Sequence, residues 1–257
     1  MRRWIGRAVC VALAAIILLL MSAATWSSPS IPGFTRRDRF NFSDSPADAN
    51  NSDYVIQWED PAVEAMIRTA LEKPSGDILR SELDFVESVY IAGGSHIYFN
   101  IGRALDGSSW QRDEYYIDGV RYSQRGEITS LKDFAHFQNL DTLTVLYNKI
   151  EDLSGVAALN RVEQLNIGLN HLSDLTPLGE LTQLTLLTIW GNDIVDISPL
   201  ANLKDLQFLY AAENKIEDAA PLAGLTNLQE LNLRDNNISG EQMEWLQAQL
   251  PDCYFRS

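Results

Sequence analysis

Two cysteines and three histidines are all that the 257 residues contain, and this scarcity excludes several chemistries at once. Cys10 lies in the apolar run near the N-terminus. If that segment is removed, only Cys253 remains, so no intramolecular disulfide can form and packing alone must hold the fold. His96, His136 and His171 are scattered and no CxxC occurs, so no metal site is indicated. G-x-S-x-G, P-loop and dinucleotide fingerprints are missing too, and no pattern isolates two of the 35 acids in a pocket. The expectation is therefore no enzyme, no catalytic residue, no cofactor and no metal. Basic residues are also scarce, at 20 against those 35 acids, for a net charge of −15. Such a surface repels phosphate backbones and argues against a nucleic-acid partner.

Long hydrophobic runs are limited to one. MRRWIGR followed by AVCVALAAIILLLMSAATW reads as a basic n-region, an apolar stretch and a small-residue cleavage site at Ser22-Ala23-Ala24. Residues 1–24 are expected to be an export signal, cleaved or retained as a signal anchor, and an uncleaved segment would be the chain's one link to a membrane. Cys10 stands too close to the arginines for lipoprotein attachment. Residues 25–53 are rich in Ser, Pro, Asn and Asp and read as a disordered linker. Arg36, Arg37 and Arg39 within it are either a solvated cluster or a contact for an anionic membrane surface.

What is plentiful is a repeat. At a period of 22 residues, LTVLYNKI, LNIGLNHL, LTIWGNDI, LYAAENKI and LNLRDNNI align from Leu143, Leu165, Leu187, Leu209 and Leu231. Asn148, Asn170, Asn192, Asn214 and Asn236 form one column, read as a structural ladder bonding backbone groups inside each turn. Pro177, Pro199 and Pro221 argue against long helices on the return side, which should hold short 3₁₀ or extended segments. Asp152, Asp174, Asp196 and Asp218 form a second column, expected to cap backbone N–H groups, with a calcium ladder as the alternative. Ile128, Leu131, Phe134 and Phe137 form a half coil one period earlier. Val89 and Ile91 look like its strand, displaced by an insertion over 95–126. Leu250, Cys253 and Phe255 are expected to continue Leu228, Leu231 and Leu233.

An open stack needs closed ends. Asp60-Pro61 followed by Val63, Met66 and Leu71 predicts a capped helix, with a shorter one around Leu79 to Phe85, inside an N-terminal cap over 54–85. Ser239 with Gln242 predicts a capping box at the start of a C-terminal cap over 239–257. The segment WEDPAVEAMIRTALEKPSGDILRSEL, running into coils of the I-x-D-I-x-P-L type, resembles the internalin-like leucine-rich-repeat proteins of bacterial surfaces, of the 22-residue subclass. That resemblance covers residues 54–257. It implies an α/β fold: a right-handed leucine-rich-repeat solenoid over 86–257, with a curved parallel sheet on the concave side. It also implies that the concave sheet binds a ligand, usually a protein. The short repeat array and the missing immunoglobulin-like module and sorting signal lend no support to host invasion.

Side chains between the core leucines point to the concave face. There the middle coils place Leu186, Trp190, Phe208 and Tyr210, with Leu146, Tyr147 and Leu169 nearby. A contiguous apolar patch on that face suits an interface, whereas mutual covering, or burial under the insertion, is the alternative reading. Within 95–126, Asp118-Gly119 between EYYI and VRYS predicts a two-residue hairpin, and Asp106-Gly107 a second one. Three functions stay open: an exported protein-binding module, a structural or tethered envelope protein, and a glycan adhesin in which Trp190 and Tyr210 stack on sugars.

Overall fold

A computed structural model describes residues 53–94, 96–99, 108–111, 114–117, 120–122 and 124–256. The expected signal, the linker up to residue 52 and both Asp-Gly pairs lie outside the described residues. Helix α1 (Pro61–Ala70) and a 3₁₀ turn (Arg80–Leu83) lead into β1 (Ser88–Ala92). The insertion carries β2 (His96–Phe99), β3 (Ser108–Gln111), β4 (Glu114–Ile117) and β5 (Val120–Tyr122). Then follow β6 (Thr142–Leu146), β7 (Gln164–Asn166), β8 (Leu186–Thr188), β9 (Phe208–Tyr210) and β10 (Glu230–Asn232). Five 3₁₀ turns precede or separate these strands, and α2 (Gly240–Gln249) leads to β11 (Tyr254–Phe255).

The sheet order is β11-β10-β9-β8-β7-β6-β1-β2, parallel throughout except for β2. Leu143, Leu165, Leu187, Leu209 and Leu231 stand opposite one another, and Val89 stands opposite Leu143, so β1 is the displaced strand that the pattern requires. These residues, with Ile128, Leu131, Phe134 and Phe137, are buried in one continuous core. Pro177, Pro199 and Pro221 each sit in the first turn of a 3₁₀ segment, where their missing N–H costs nothing. Asp152, Asp174, Asp196 and Asp218 accept the N–H two residues on, at 2.7–2.8 Å, and Ser130 does the same for Lys132 one coil earlier. The carboxylate column is thus a set of turn caps. Hydrogen bonds from the Ser154 hydroxyl and N–H hold the Asp152 carboxyl below its ordinary range.

The Asn column closes each bend. Asn192 Oδ1 accepts from Leu172 N at 3.0 Å, and its Nδ2 donates to the carbonyls of Ile167, Ile189 and Trp190. Asn170, Asn214 and Asn236 repeat this set, and Asn148 bonds Ile128 and Leu146 in the same way. The residue before each Asn is left-handed: Tyr147, Leu169, Gly191, Glu213 and Asp235 have φ of 53–64°. Gly93, with φ 58°, holds the same place after β1. At the ladder position one period before Asn148 stands Gly126, where a Cβ would overlap the Asn148 carboxamide and crowd the Gly93 carbonyl.

Two buried carboxylates clamp α1 to the first coil. Asp60 caps α1 at Ala62 N and also accepts from Thr129 N, while Asp133, 2% exposed, accepts from Glu59 N and Asp60 N. The insertion and the C-terminal end differ from the repeat. At the start of the insertion β2 pairs antiparallel with β1 and extends the main sheet, a pairing that the repeat did not indicate. Residues 100–107, which would form the first arm of the Asp106-Gly107 turn, lie outside the described residues, and β3 pairs with β4. The Asp118-Gly119 hairpin does match its flanking strands, with Ile117 opposite Val120. At the C-terminal end Phe255 stands opposite Leu231 instead of Leu233, because the ten-residue α2 takes more chain than a five-residue 3₁₀ turn. Ser239 does accept from Gln242 N, but the Gln242 side chain donates to Asp218 and does not close a box. Cys253 is half-buried, and burial, aided by the Glu230 charge, pushes its thiol up to about 11, as expected of a packing residue.

The ladder predicts a gradient of sensitivity. Asn192→Ala strands Leu172 N–H and several carbonyls in a dry site and should cost about 3 kcal/mol in chemical denaturation. Asn236→Ala, at a partly exposed position that water can enter, should cost about 1 kcal/mol. Equal losses would show that the two amides do equal work.

A pH dependence follows from His136. Its Nδ1 lies 2.8 Å from Tyr54 Oη, and burial lowers its pKa below the ordinary 6.5 despite the opposing charges of Asp133 and Glu59. The unfolded chain then takes up the proton first, so stability should be full above about pH 6.5 and fall as pH drops through that value. Below the folded pKa this loss should level off. Urea midpoints measured from pH 7.5 to 5 should show the drop, and His136→Gln should flatten it.

Candidate ligand-binding face

Alternation in β8 and β9 sends Leu187, Ile189, Leu209 and Ala211 into the core, each fully buried. The intervening residues are left on the other face. Leu186 stands opposite Phe208, and Thr188 opposite Tyr210, in adjacent strands. Leu186, Trp190, Phe208 and Tyr210 are all half-buried. Leu186 and Phe208 stand side by side, and Trp190 and Tyr210 lie further along the same two coils.

Trp190 is held by what flanks it. At its column the coil before carries Gly168 and the coil after carries Ala212, both small. A Cβ on Gly168 would fall 2.7 Å from Trp190 Nε1 and 2.8 Å from its Cδ1, so the indole lies directly on the bare backbone there. Gly191 follows, and its left-handed φ of 64° coincides with a close approach by Leu169 Cδ2. The ring thus packs against a second, small apolar cluster that is separate from the core.

That cluster divides the seven expected site residues. Leu146, Tyr147 and Leu169 are 2%, 9% and 4% exposed, enclosed with Tyr90 and Ala92 of β1. They are not presented at the surface, and for these three the self-covering reading applies. The physical reason is Arg125, at the end of the insertion. Its guanidinium stacks 4.8 Å above the Tyr147 ring and donates to the carbonyls of Asn148 and Leu169. Burial lowers the Arg125 pKa, with the Tyr147 charge opposing it. At the other end, Arg256 lies 5.9 Å from the Tyr210 ring and 3.7 Å from Glu230.

Sequence reasoning missed Arg125, Arg256 and the pairing of Gly168 with Trp190. The arginines lie outside the repeat, where no periodicity reports them. Tyr90 and Ala92 were readable, because aligning Val89 with Leu143 places them opposite Thr144 and Leu146. Among the described residues no group of His, Cys, Asp and Glu could hold a metal ion, and no helix is long and apolar enough to cross a membrane.

A family model for leucine-rich repeats, in two copies, matches residues 204–247. The chain carries leucine-rich repeats. Solved structures similar to it include an internalin from Listeria monocytogenes, 32% identical over 52% of this chain and 41% of that one, with a TM-score of 0.48. A leucine-rich-repeat protein of Leptospira interrogans is 25% identical over 53% of this chain and 36% of its own, at 0.49. An internalin C2 of Listeria monocytogenes is 22% identical over 77% of this chain and 92% of its own, at 0.39. The chain thus spans about two fifths or less of the first two. No curated protein matches the sequence.

The contact with Gly168 makes a sharp prediction. Gly168→Ala should lever the indole off its seat, moving the Trp190 indole N–H resonance toward its value in denaturant while the denaturation midpoint changes little. An unmoved resonance would mean that the ring is not seated on residue 168.

Proposed function

We propose that this chain is an exported, non-enzymatic recognition module that binds a protein ligand on its concave face. Leu186, Trp190, Phe208 and Tyr210 make the contact, and Leu146, Tyr147 and Leu169 form the rigid floor beneath it. One observation carries the reading: four large apolar side chains stand half-buried on two adjacent coils, outside the main core, on a face where the fold needs no apolar residue. Rings of this kind are enriched at interface centres because they remove much area from water with few rotatable bonds. Export rests on the basic, apolar and small-residue succession over 1–24, and a role at the bacterial cell envelope rests on its similarity to bacterial leucine-rich-repeat proteins.

Trp190→Ala combined with Tyr210→Ala separates binding from packing. Each ring is half-buried, so the pair should cost on the order of 1–2 kcal/mol in stability, below the 3–5 typical of one buried aromatic. Capture of the native partner from envelope extracts should fall at least about tenfold, which corresponds to one lost hot-spot contact. A stability loss of core size with capture unchanged would overturn the proposal.

A further inference from the structure

Beside the apolar face runs a trough of about 480 Å³, lined by Glu163, Gln183, Thr185, Asp205, Gln207, Asn227 and Gln229. Its residues come from two columns of the repeat. Glu163, Thr185, Gln207 and Gln229 each stand two positions before a core leucine, and Gln183, Asp205 and Asn227 stand two positions earlier again. Leu186 and Phe208 directly follow Thr185 and Gln207, so the trough borders the apolar face.

The trough's polar groups are unevenly spent. Gln183 Nε2 donates to the carbonyls of Leu159 and Val162, at 3.1 and 3.2 Å. Asn227 Nδ2 donates to the Lys204 carbonyl at 2.8 Å, and the Thr185 hydroxyl to the Glu163 carbonyl at 3.1 Å. Since carbonyls only accept, these partners fix which end of each amide faces inward. Gln229 Nε2 donates to Gln207 Oε1 at 3.1 Å. The backbone N–H groups of residues 163, 185, 207 and 229 are committed to the carbonyls of Asp141, Glu163, Thr185 and Gln207. What remains for a ligand is dominated by acceptors: the oxygens of Gln183 and Asn227 and the carboxylates of Glu163 and Asp205, beside the Gln207–Gln229 pair, which leaves one amide oxygen and one amide NH2. Neither carboxylate is ion-paired among the described residues, and Lys204, next in sequence, is tied to the Gly224 carbonyl.

A surface rich in acceptors and negative charge selects a ligand that is all donor. A guanidinium carries five N–H groups, no acceptor and a fixed planar fork, whereas every sugar hydroxyl brings an acceptor together with its donor. We propose that the trough receives an arginine side chain of the protein segment that lies on the neighbouring apolar face. This rests on the concave-face reading and adds the partner's chemistry: a basic segment with an apolar residue beside its arginine. The net charge of −15 steers such a segment inward.

The test uses the full chain and a blocked tri-arginine peptide, with tri-citrulline as its uncharged counterpart of the same shape. Tri-arginine should shift the amide resonances of residues 183–185, 205–207 and 227–229, and tri-citrulline should bind at least about tenfold more weakly. Glu163→Gln with Asp205→Asn should weaken tri-arginine by about tenfold, while Glu180→Gln with Glu217→Gln, which removes the same charge elsewhere, should change it less than about twofold. Equal losses in the two double variants would reduce the effect to general charge attraction and overturn the proposal. So would cellotetraose shifting these resonances where tri-arginine does not. If capture of the native partner falls with Trp190→Ala and Tyr210→Ala but not with the trough variant, the apolar face stands and the trough falls. If only the trough variant lowers capture, the apolar face falls instead.

Discussion

The whole winding depends on how a chain can bend sharply after a three-residue strand without leaving backbone amides unpaired in a dry interior. Neither neighbouring strands nor a helix can pair the groups at that bend. A side-chain carboxamide can, because it offers an acceptor and two donors at once. Asn192 reaches Leu172 and Ile167 in the preceding coil and Ile189 and Trp190 in its own, so one residue ties two coils together. Pointing it inward requires a left-handed residue just before it, and only one of the five ladder coils supplies glycine there. Tyr147, Leu169, Glu213 and Asp235 each accept a conformational cost of about 1 kcal/mol, which hydrogen bonds of similar worth offset.

Where the ladder stops, other devices appear. One period before Asn148 the position belongs to Gly126, and the carboxamide of Asn148 fills the space that a side chain would take. The first strand is then closed on its open side by antiparallel β2, which removes a row of unpaired backbone groups from solvent. Beneath it, Asp60 and Asp133 supply the N–H pairing that repeated turns supply elsewhere. At the far end a helix replaces the 3₁₀ turn, and the register shifts to suit its length.

The repeat was legible because identical environments return every 22 residues, so the five asparagines and the four aspartates identify each other. Fold class, core, strand register in the middle coils and the turn caps all followed from that. The ends were read less well for the same reason turned round: each cap occurs once, so nothing in the chain corroborates it. Asp133 looks like any surface acid in the sequence, yet it is 2% exposed and holds the cap helix in place. Of the expected site, the alternation identified Leu186, Trp190, Phe208 and Tyr210 correctly as residues outside the core. It did not reveal that Leu146, Tyr147 and Leu169 are shut in, because the closing residue, Arg125, arrives from a segment with no period.

That closure bears on what the face is for. Were the apolar residues of the inner sheet there only to cover one another, the enclosure around Tyr147 would extend along the whole sheet. It extends as far as Trp190, which lies over the bare Gly168 and is half-buried, and Leu186 in the same coil and Phe208 and Tyr210 in the next are half-buried as well. In those coils the core is already complete without them, with Leu187, Ile189, Leu209 and Ala211 at 0% exposure. Polar residues at these positions would leave the winding intact and lower the cost of facing water, as Thr142 and Gln164 do at the same column in β6 and β7. An apolar choice that stability does not demand, set beside a trough rich in acceptors and negative charge, is more economically explained by a partner than by the fold.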